Sequence, residues 1–360
     1  MSNCKLGDIL ELKYGKDHKA LSDGDIPVYG SGGIMRYADT FLYDKESILI
    51  PRKGTLSNIF YIDGEKPFWT VDTIFWSKIN AGLTFGKFLF YYLKTIDFAN
   101  LNVGSAVPSL TTKVLNEVDI SLPPLAEQKA IAEVLSSLDD KIDLLHRQNK
   151  TLEKLAQTLF RQWFIEEAKD EWEDGTLGEV IDIFDSKRIP LSKMQRDKLK
   201  DGTLYPYYGA AKIMDYINDY IFDGEYILMG EDGTVRTDDG YPILQYATGK
   251  FWVNNHTHVL QAKEPYSNYF IWSYLLEKKI DEIVTGAVQP KINQTNLKSL
   301  DFPKYPLDLI LQFNKQANIY LEKINQNKKQ IKTLENMRDT LLPKIMSGEV
   351  RIKLNGENNG

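Results

Sequence analysis

Residues 135–163 read LSSLDDKIDLLHRQNKTLEKLAQTLFRQW. In this run Leu135, Leu138, Ile142, Leu145, Asn149, Leu152, Ala156, Leu159 and Trp163 recur alternately at threes and fours. That spacing lays one narrow stripe along a helix, as in a coiled-coil seam. Asp139, Lys141, Arg147, Lys150, Glu153, Lys154 and Arg161 fall on the other faces. With Pro123-Pro124 at its head, where proline suits a first turn, the run predicts a helix from about Pro124 to Phe164. Such a helix is roughly 60 Å long, and its stripe needs a partner helix of similar length. Ala317, Leu321, Ile324, Ile331, Leu334 and Leu341 supply a matching stripe between about Leu307 and Met346. The economical arrangement folds the two helices antiparallel, with Asn149 in the seam to fix register.

The remainder falls into two large segments, one before each helix. At 360 residues, 42% of them hydrophobic and 12% aromatic, the chain has room for two folded domains plus helices. One cysteine, Cys4, excludes an internal disulfide framework and a cysteine-based zinc site. No stretch approaches 18 apolar residues and the N-terminus has no signal-like run, so a soluble, cytoplasmic protein with no membrane partner is expected. The net charge of −6 is uneven: residues 170–305 carry 15 basic against 22 acidic side chains, residues 306–360 carry 9 against 6. No segment is broadly basic, so any DNA contact must come from local loops or from a partner that grips phosphate.

The two segments repeat one another. Lys5-Leu6-Gly7-Asp8-Ile9 opens the first and Thr176-Leu177-Gly178-Glu179-Val180 the second. Val28-Tyr29-Gly30 matches Tyr207-Tyr208-Gly209, and Glu46–Ile50 with Gly54-Thr55 matches Glu225–Met229 with Gly233-Thr234, all at a shift of 179. Phe68-Trp69 and Phe251-Trp252, Ala106-Val107 and Ala287-Val288, Leu110 and Ile292, Leu115 and Leu297, then Pro124 and Pro306 follow at shifts of 181 to 183. Order and spacing this regular mean two copies of one domain, each followed by a long helix; the period is too long for a solenoid. Residues 47–50, 68–76, 226–229 and 251–260 read as strands, and 85–93 and 266–276 as helices on a sheet. The expected class is α+β, with two α/β domains separated by a helical pair. Asp170–Gly175 reads as a linker and Gly356–Gly360 as a polar tail.

Catalytic motifs are missing. There is no phosphate loop, no Asn-Pro-Pro-aromatic run of an adenine methyltransferase, and no nuclease cluster of an acid followed by Glu-x-Lys. His256 and His258, one residue apart, would share a face of a strand and offer two metal ligands, although packing or hydrogen bonding is the plainer reading. The glycine-bearing loops are more informative, because small residues admit a nucleic-acid backbone while polar side chains reach base edges. In the first copy they bring Lys16, Ser31, Gly32, Arg52, Lys53, Thr55, Ser57, Ser105, Thr111 and Lys113; in the second, Lys187, Arg188, Lys212, Thr234, Arg236, Gln289, Lys291, Asn293 and Gln294. Taken singly, each loop could be an ordinary turn; the recurrence in both copies gives them weight. Glu231-Asp232 stands where Arg52-Lys53 stands, so the copies should not read the same bases.

These residues resemble a known family, the specificity subunit of Type I restriction–modification enzymes. Trp172 with Leu177-Gly178-Glu179-Val180 is similar to its domain-opening motif, and Pro123-Pro124-Leu125-Ala126-Glu127-Gln128 to the head of its central helix. Leu159-Phe160-Arg161-Gln162-Trp163-Phe164 resembles the exit of that helix, and Leu341–Val350 the C-terminal signature. The second helix departs from the pattern: Pro306-Leu307-Asp308-Leu309-Ile310 lacks the Glu-Gln pair.

The resemblance implies two target-recognition domains, 1–123 and 169–305, in a pseudo-twofold arrangement on the helices 124–168 and 306–348, with 349–360 as tail. Each domain would read half of an asymmetric bipartite double-stranded DNA target, and the antiparallel coiled coil would set the gap. Two methyltransferase subunits would bind, through Glu127, Gln128, Phe160, Trp163 and Phe164 among others, and restriction subunits would join the full complex. S-adenosylmethionine, ATP and magnesium would belong to those partners, and this chain would bind no cofactor or metal. A stand-alone nuclease or methyltransferase, and a non-DNA scaffold of two ligand domains, are the rival readings.

Overall fold

The computed structural model describes residues 2–168, 172–286 and 288–352. Lys169 and the start of the expected linker (170–171), Ala287 of the repeat and most of the expected tail (353–360) lie outside the described residues. The chain divides into two units, Met1–His146 with Lys328–Gly360, and Arg147–Asn327.

The first unit contains strands β1 (Ser2–Lys5), β2 (Leu10–Tyr14), β3 (Ile26–Gly30), β4 (Gly33–Ala38), β5 (Ser47–Pro51), β6 (Phe60–Ile62), β7 (Trp69–Thr70), β8 (Ile74–Ile79) and β9 (Asp119–Leu122). Helices α1 (Leu6–Ile9), α2 (Gly86–Lys94) and α3 (Thr112–Asn116) accompany them. β5 organises the unit because its sequence, Ser-Ile-Leu-Ile-Pro, is buried throughout. Successive side chains of a strand point to opposite faces. Ile48 and Ile50 therefore join Phe88 and Leu89 of α2 in one core, while Leu49 joins Val28, Phe68 and Ile74 in another. Each such side chain contributes about 2 kcal/mol by leaving water. The sheets run β2-β8-β5-β6 and β4-β3-β7, with β1 paired to β9.

The second unit repeats this plan. It contains α5 (Leu177–Val180), β10 (Ile181–Ile183), α6 (Lys193–Asp197), β11 (Tyr205–Tyr208), β12 (Ile213–Ile217), β13 (Phe222–Gly230), β14 (Leu244–Val253), β15 (Thr257–Ala262), α7 (Asn268–Glu277) and α8 (Gln294–Lys298). Register shows the duplication directly. Val28 pairs with Trp69 and Tyr29 with Thr70 in parallel; Tyr207 pairs with Trp252 and Tyr208 with Val253, also in parallel. One difference is that β14 is long enough to pair with both β13 and β11. The sheet becomes one of six strands, β10-β15-β13-β14-β11-β12.

Two expected strands are broken. Residues 68–76 form β7 and β8, separated by a turn in which Ile74 N donates to Val71 O at 3.0 Å. Residues 251–260 form the end of β14 and β15, separated by a turn in which Asn254 Oδ1 accepts from His256 N at 2.9 Å. In both places the chain leaves one pairing partner for another, which an apolar run does not reveal.

The long helices are α4 (Leu125–Arg161) and α9 (Leu307–Met346). Every position of the expected α4 stripe is buried or half-buried. In the first unit Ile131 and Leu135 share a core with Ile345 and Met346, and Ile142 and Leu145 pack with Ile331 and Leu334. In the second unit Asn149 meets Asn327, and Ala156 and Phe160 share a core with Phe313 and Ala317. Within each unit the α9 number falls as the α4 number rises, so the helices are antiparallel. α4 ends sooner than the pattern predicts. Residues Gln162–Glu166 form a π-turn, and the burial maximum there moves from Leu159 and Trp163 to Phe160 and Phe164. None of the described helices is long and apolar enough to cross a membrane.

Candidate nucleic-acid interface

In the first unit three loops converge. Gly54 N donates to Pro108 O at 3.0 Å and Leu110 N to Arg52 O at 2.9 Å, which zips the loop after β5 to the loop before α3. Asn58 Nδ2 donates to Ser31 O at 3.2 Å and ties in the β3–β4 turn. Asn102 Oδ1 accepts from Gly104 N at 2.9 Å and Ser109 N at 2.8 Å, an Asx turn that shapes the loop carrying Ser105. Gly54 has φ of +88°, where a side chain would be strained. Lys53, Thr55, Ser57, Ser105, Lys113 and Gly32 are exposed around this cluster, and Lys16 is exposed beyond β2.

The second unit repeats the two backbone bonds of the crossing. Gly233 N donates to Pro290 O at 2.9 Å and Ile292 N to Glu231 O at 2.8 Å, with Gly233 at φ +75°. Thr234, Gln289, Lys291 and Asn293 are exposed there, as are Lys187 and Lys212. The duplicated sequence matched Gly54 with Gly233 and Leu110 with Ile292. It did not reveal that the loops bearing them touch.

Several expected contact residues are engaged inside the chain. Arg52 Nη1 donates to Asp72 O at 2.9 Å and its guanidinium stands 5.4 Å from the Tyr14 ring centre. Thr111 caps α3 by accepting from Val114 N at 3.3 Å, and Asn293 caps α8 by accepting from Asn296 N at 2.8 Å. Arg236 pairs with Asp281 at 3.1 Å. Arg188 is the furthest from the expectation. Its side chain is nearly buried, donating to Glu231 Oε2 at 2.5 Å and Thr257 O at 2.7 Å. Gln294 donates to Asp185 at 2.8 Å.

This polar network differs between the copies. Where the first has Arg52-Lys53, the second has Glu231 paired to Arg188 and to Lys291 (3.6 Å), and Asp232 beside His256 Nδ1 at 2.6 Å. The expectation that His256 and His258 share a strand face is corrected: His256 is exposed in the turn before β15, and His258 is buried on it. His258 Nδ1 faces Asp185 at 2.6 Å and Nε2 faces Ile292 O at 2.8 Å. Burial pushes the Asp185 carboxyl up, but His258, the Val259 amide and the Arg188 charge outweigh it and hold that carboxyl below the usual range. Asp185, Glu231 and His258 have the residue types of a metal site. Arg188 already supplies positive charge there, and both His258 nitrogens are turned to oxygens of Asp185 and Ile292, so the cluster is occupied by its own hydrogen bonds.

The residues expected to bind protein partners also sort by burial. Gln128 is buried. Its amide nitrogen donates to Leu83 O and Pro123 O, and its oxygen accepts from Thr84 Oγ1 and Phe85 N. Phe160 and Phe164 are buried against Phe270 and Phe313, with ring centres 4.8–5.6 Å apart. These three hold the helix ends to their domains and present nothing to a partner. Glu127 and Trp163 keep partial exposure.

A duplicated α+β domain, each copy carried with part of a helix pair and bearing the same loop crossing, defines a two-domain repeat protein. The family described as "Type I restriction modification DNA specificity domain" matches residues 1–154 and 169–336. This chain therefore belongs to the specificity subunits of Type I restriction–modification enzymes. It is 28% identical to the Type I restriction enzyme MjaIX specificity subunit of Methanocaldococcus jannaschii, covering 87% of this chain and 79% of that one. It is 22% identical to the MjaVIII specificity subunit of the same organism, covering 74% and 70%. The crystal structure of the S subunit of the Type I system of M. genitalium has the same fold, with a TM-score of 0.62 at 18% identity over 98% of this chain and 96% of that one.

Proposed function

We propose that this chain is the DNA-reading, non-catalytic subunit of its complex. Domains 1–123 and 169–305 each present their loop cluster to the major groove of one half of an asymmetric bipartite target. The antiparallel helices 124–168 and 306–348 act as the spacer between the half-sites, in a pseudo-twofold arrangement. Two methyltransferase subunits methylate adenines at the sites so chosen, and restriction subunits cut where methylation is absent. S-adenosylmethionine, ATP and magnesium serve those partners, and the work is done in the cytoplasm.

The observation that carries this reading is the loop cluster built by the same backbone bonds around Gly54 and Gly233. Its rim residues differ between copies, which suits two different half-sites. The test is methylome sequencing of DNA treated with this chain, its methyltransferase subunit and S-adenosylmethionine. Methylated adenines in a two-part motif with a constant gap are expected. Methylation at a single uninterrupted motif would contradict it.

A further inference from the structure

The two domains share a second surface feature that the loop clusters do not use. β4 and β12 are edge strands of their sheets. Each exposes the same three residue types in the same order. Ile34, Met35 and Tyr37 are 50%, 59% and 51% exposed; Ile213, Met214 and Tyr216 are 37%, 52% and 49% exposed. In both domains the Met thioether lies over a glycine of the neighbouring strand segment, Met35 over Gly30 and Met214 over Gly209, so the two copies match in packing as well as in sequence. Isolated exposed apolar side chains need no explanation, but three on one short edge strand, repeated at the equivalent place in both domains, point to an interaction surface.

The charges within each strand are cancelled locally. Arg36 is paired with Asp23 at 2.6 Å, and Asp215 with Arg196 at 3.0 Å and with Lys200. In the first domain Ile34 and Tyr37 also line a cavity of about 380 Å³ whose walls include Tyr29 and Phe68. Asp25, Asp63 and Glu65 also line it, against Lys66 alone. Among the described residues none of these three carboxylates lies in an ion pair. A negative rim on apolar walls repels phosphate and suits a lysine or arginine side chain, whose stem packs while its head meets the acids.

We propose that the β4 and β12 faces are docking surfaces for the methyltransferase subunit, one copy on each domain, and that a basic side chain of that subunit enters the acid-rimmed cavity beside β4. Residues common to both domains fit a partner common to both, whereas residues that read bases differ between them. The proposal rests on the reading of this chain as a subunit that binds two methyltransferase subunits.

The test measures assembly of the full chain with its methyltransferase subunit by native mass spectrometry and titration. Ile34→Glu with Tyr37→Glu is expected to weaken one of the two subunits by about tenfold or more; Ile213→Glu with Tyr216→Glu should do the same to the other. Asp63→Lys with Glu65→Lys, on the exposed rim, gives the same result in the first domain without touching the strand, should the apolar variants misfold. Two subunits held at wild-type affinity in all three variants would overturn the proposal. So would loss of DNA binding with assembly intact, or a wild-type chain that is dimeric by itself and made monomeric by the β4 variant. A wild-type chain that captures no methyltransferase subunit would instead overturn the reading of function, and that is seen before any substitution is made.

Discussion

Tyr91 Oη of α2 donates a 2.6 Å hydrogen bond to Asp139 Oδ2 of α4. Arg338 Nη1 of α9 donates to the other oxygen of the same carboxylate at 2.8 Å. One half-buried side chain thus joins a domain helix to both long helices inside the first unit. Burial first, and then the Asp139 bond, raise the Tyr91 phenol well above its ordinary value, so it stays a donor throughout the physiological range. Asp139→Ala is expected to destabilise this unit by about 2–3 kcal/mol, because it removes a charged acceptor from two donors. Urea unfolding of the full chain measures it; a change below about 0.5 kcal/mol would show that the carboxylate is not a structural joint.

Asn149 and Asn327 face one another in the seam of the second unit, with Asn327 Nδ2 donating to Asn149 Oδ1 at 2.9 Å and Asn327 Oδ1 meeting no partner among the described residues. Both side chains are buried. Asn149→Leu alone strands the partner amide and should cost about 1–3 kcal/mol. Asn149→Leu with Asn327→Leu restores an apolar seam and should be at least as stable as the parent. A double-mutant cycle by thermal unfolding checks the sign: a double variant weaker than the single one would contradict it.

Acid should act on the second unit through Asp185. Its folded carboxyl value is lowered, so its contribution is complete above the unfolded value of about 4 and is lost as pH falls through the lower folded value. Asp185→Asn should therefore unfold more easily at pH 7 and show a flatter loss of stability below pH of about 4 than the parent. Parallel acid titrations of the two proteins at fixed urea would show this; superimposable curves would not fit the account.

Gly54 and Gly233 sit at equivalent loop crossings with left-handed backbone. At Gly233 an added Cβ meets nothing within 4 Å, and at Gly54 only Ser31 Oγ at 3.7 Å, so Gly→Ala changes act through backbone strain of about 1 kcal/mol. Gly54→Ala is expected to relax one half of the methylated motif and Gly233→Ala the other, each leaving its companion intact. Motif analysis of methylated DNA reads this, and simultaneous relaxation of both halves would count against separate readers.

The helix pair was legible because a heptad stripe reports a geometry that depends on nearby residues alone: every expected position from Leu135 to Trp163 is buried or half-buried. The duplication was legible because pairs such as Val28-Tyr29 and Tyr207-Tyr208 keep their place in equivalent ladders. What escaped depends on partners distant in sequence. Arg188 looks like a free cation until Glu231, 43 residues away, is folded against it. Gln128 looks like a surface amide until the segment before α2 is laid over it. Phe160 and Phe164 look like an exit motif until Phe270 and Phe313, more than 100 residues away, are folded against them, and the π-turn that follows α4 leaves no trace in a heptad count. Asn58 and Asn102 shape the loops from outside any expected contact set, although Asn102 two residues before Gly104 is a turn signal.

On the proposed function, the length of the helix pair sets the gap between two separately read half-sites. This is tested most directly by inserting one matched heptad into α4 and α9 near Asn149 and Asn327 and sequencing the methylome. Seven residues add about 10 Å of helix, or roughly three base pairs of duplex at most. The account predicts a gap wider by between one and about three base pairs, with both half-motifs unchanged. An active complex that methylates at the original gap would contradict it.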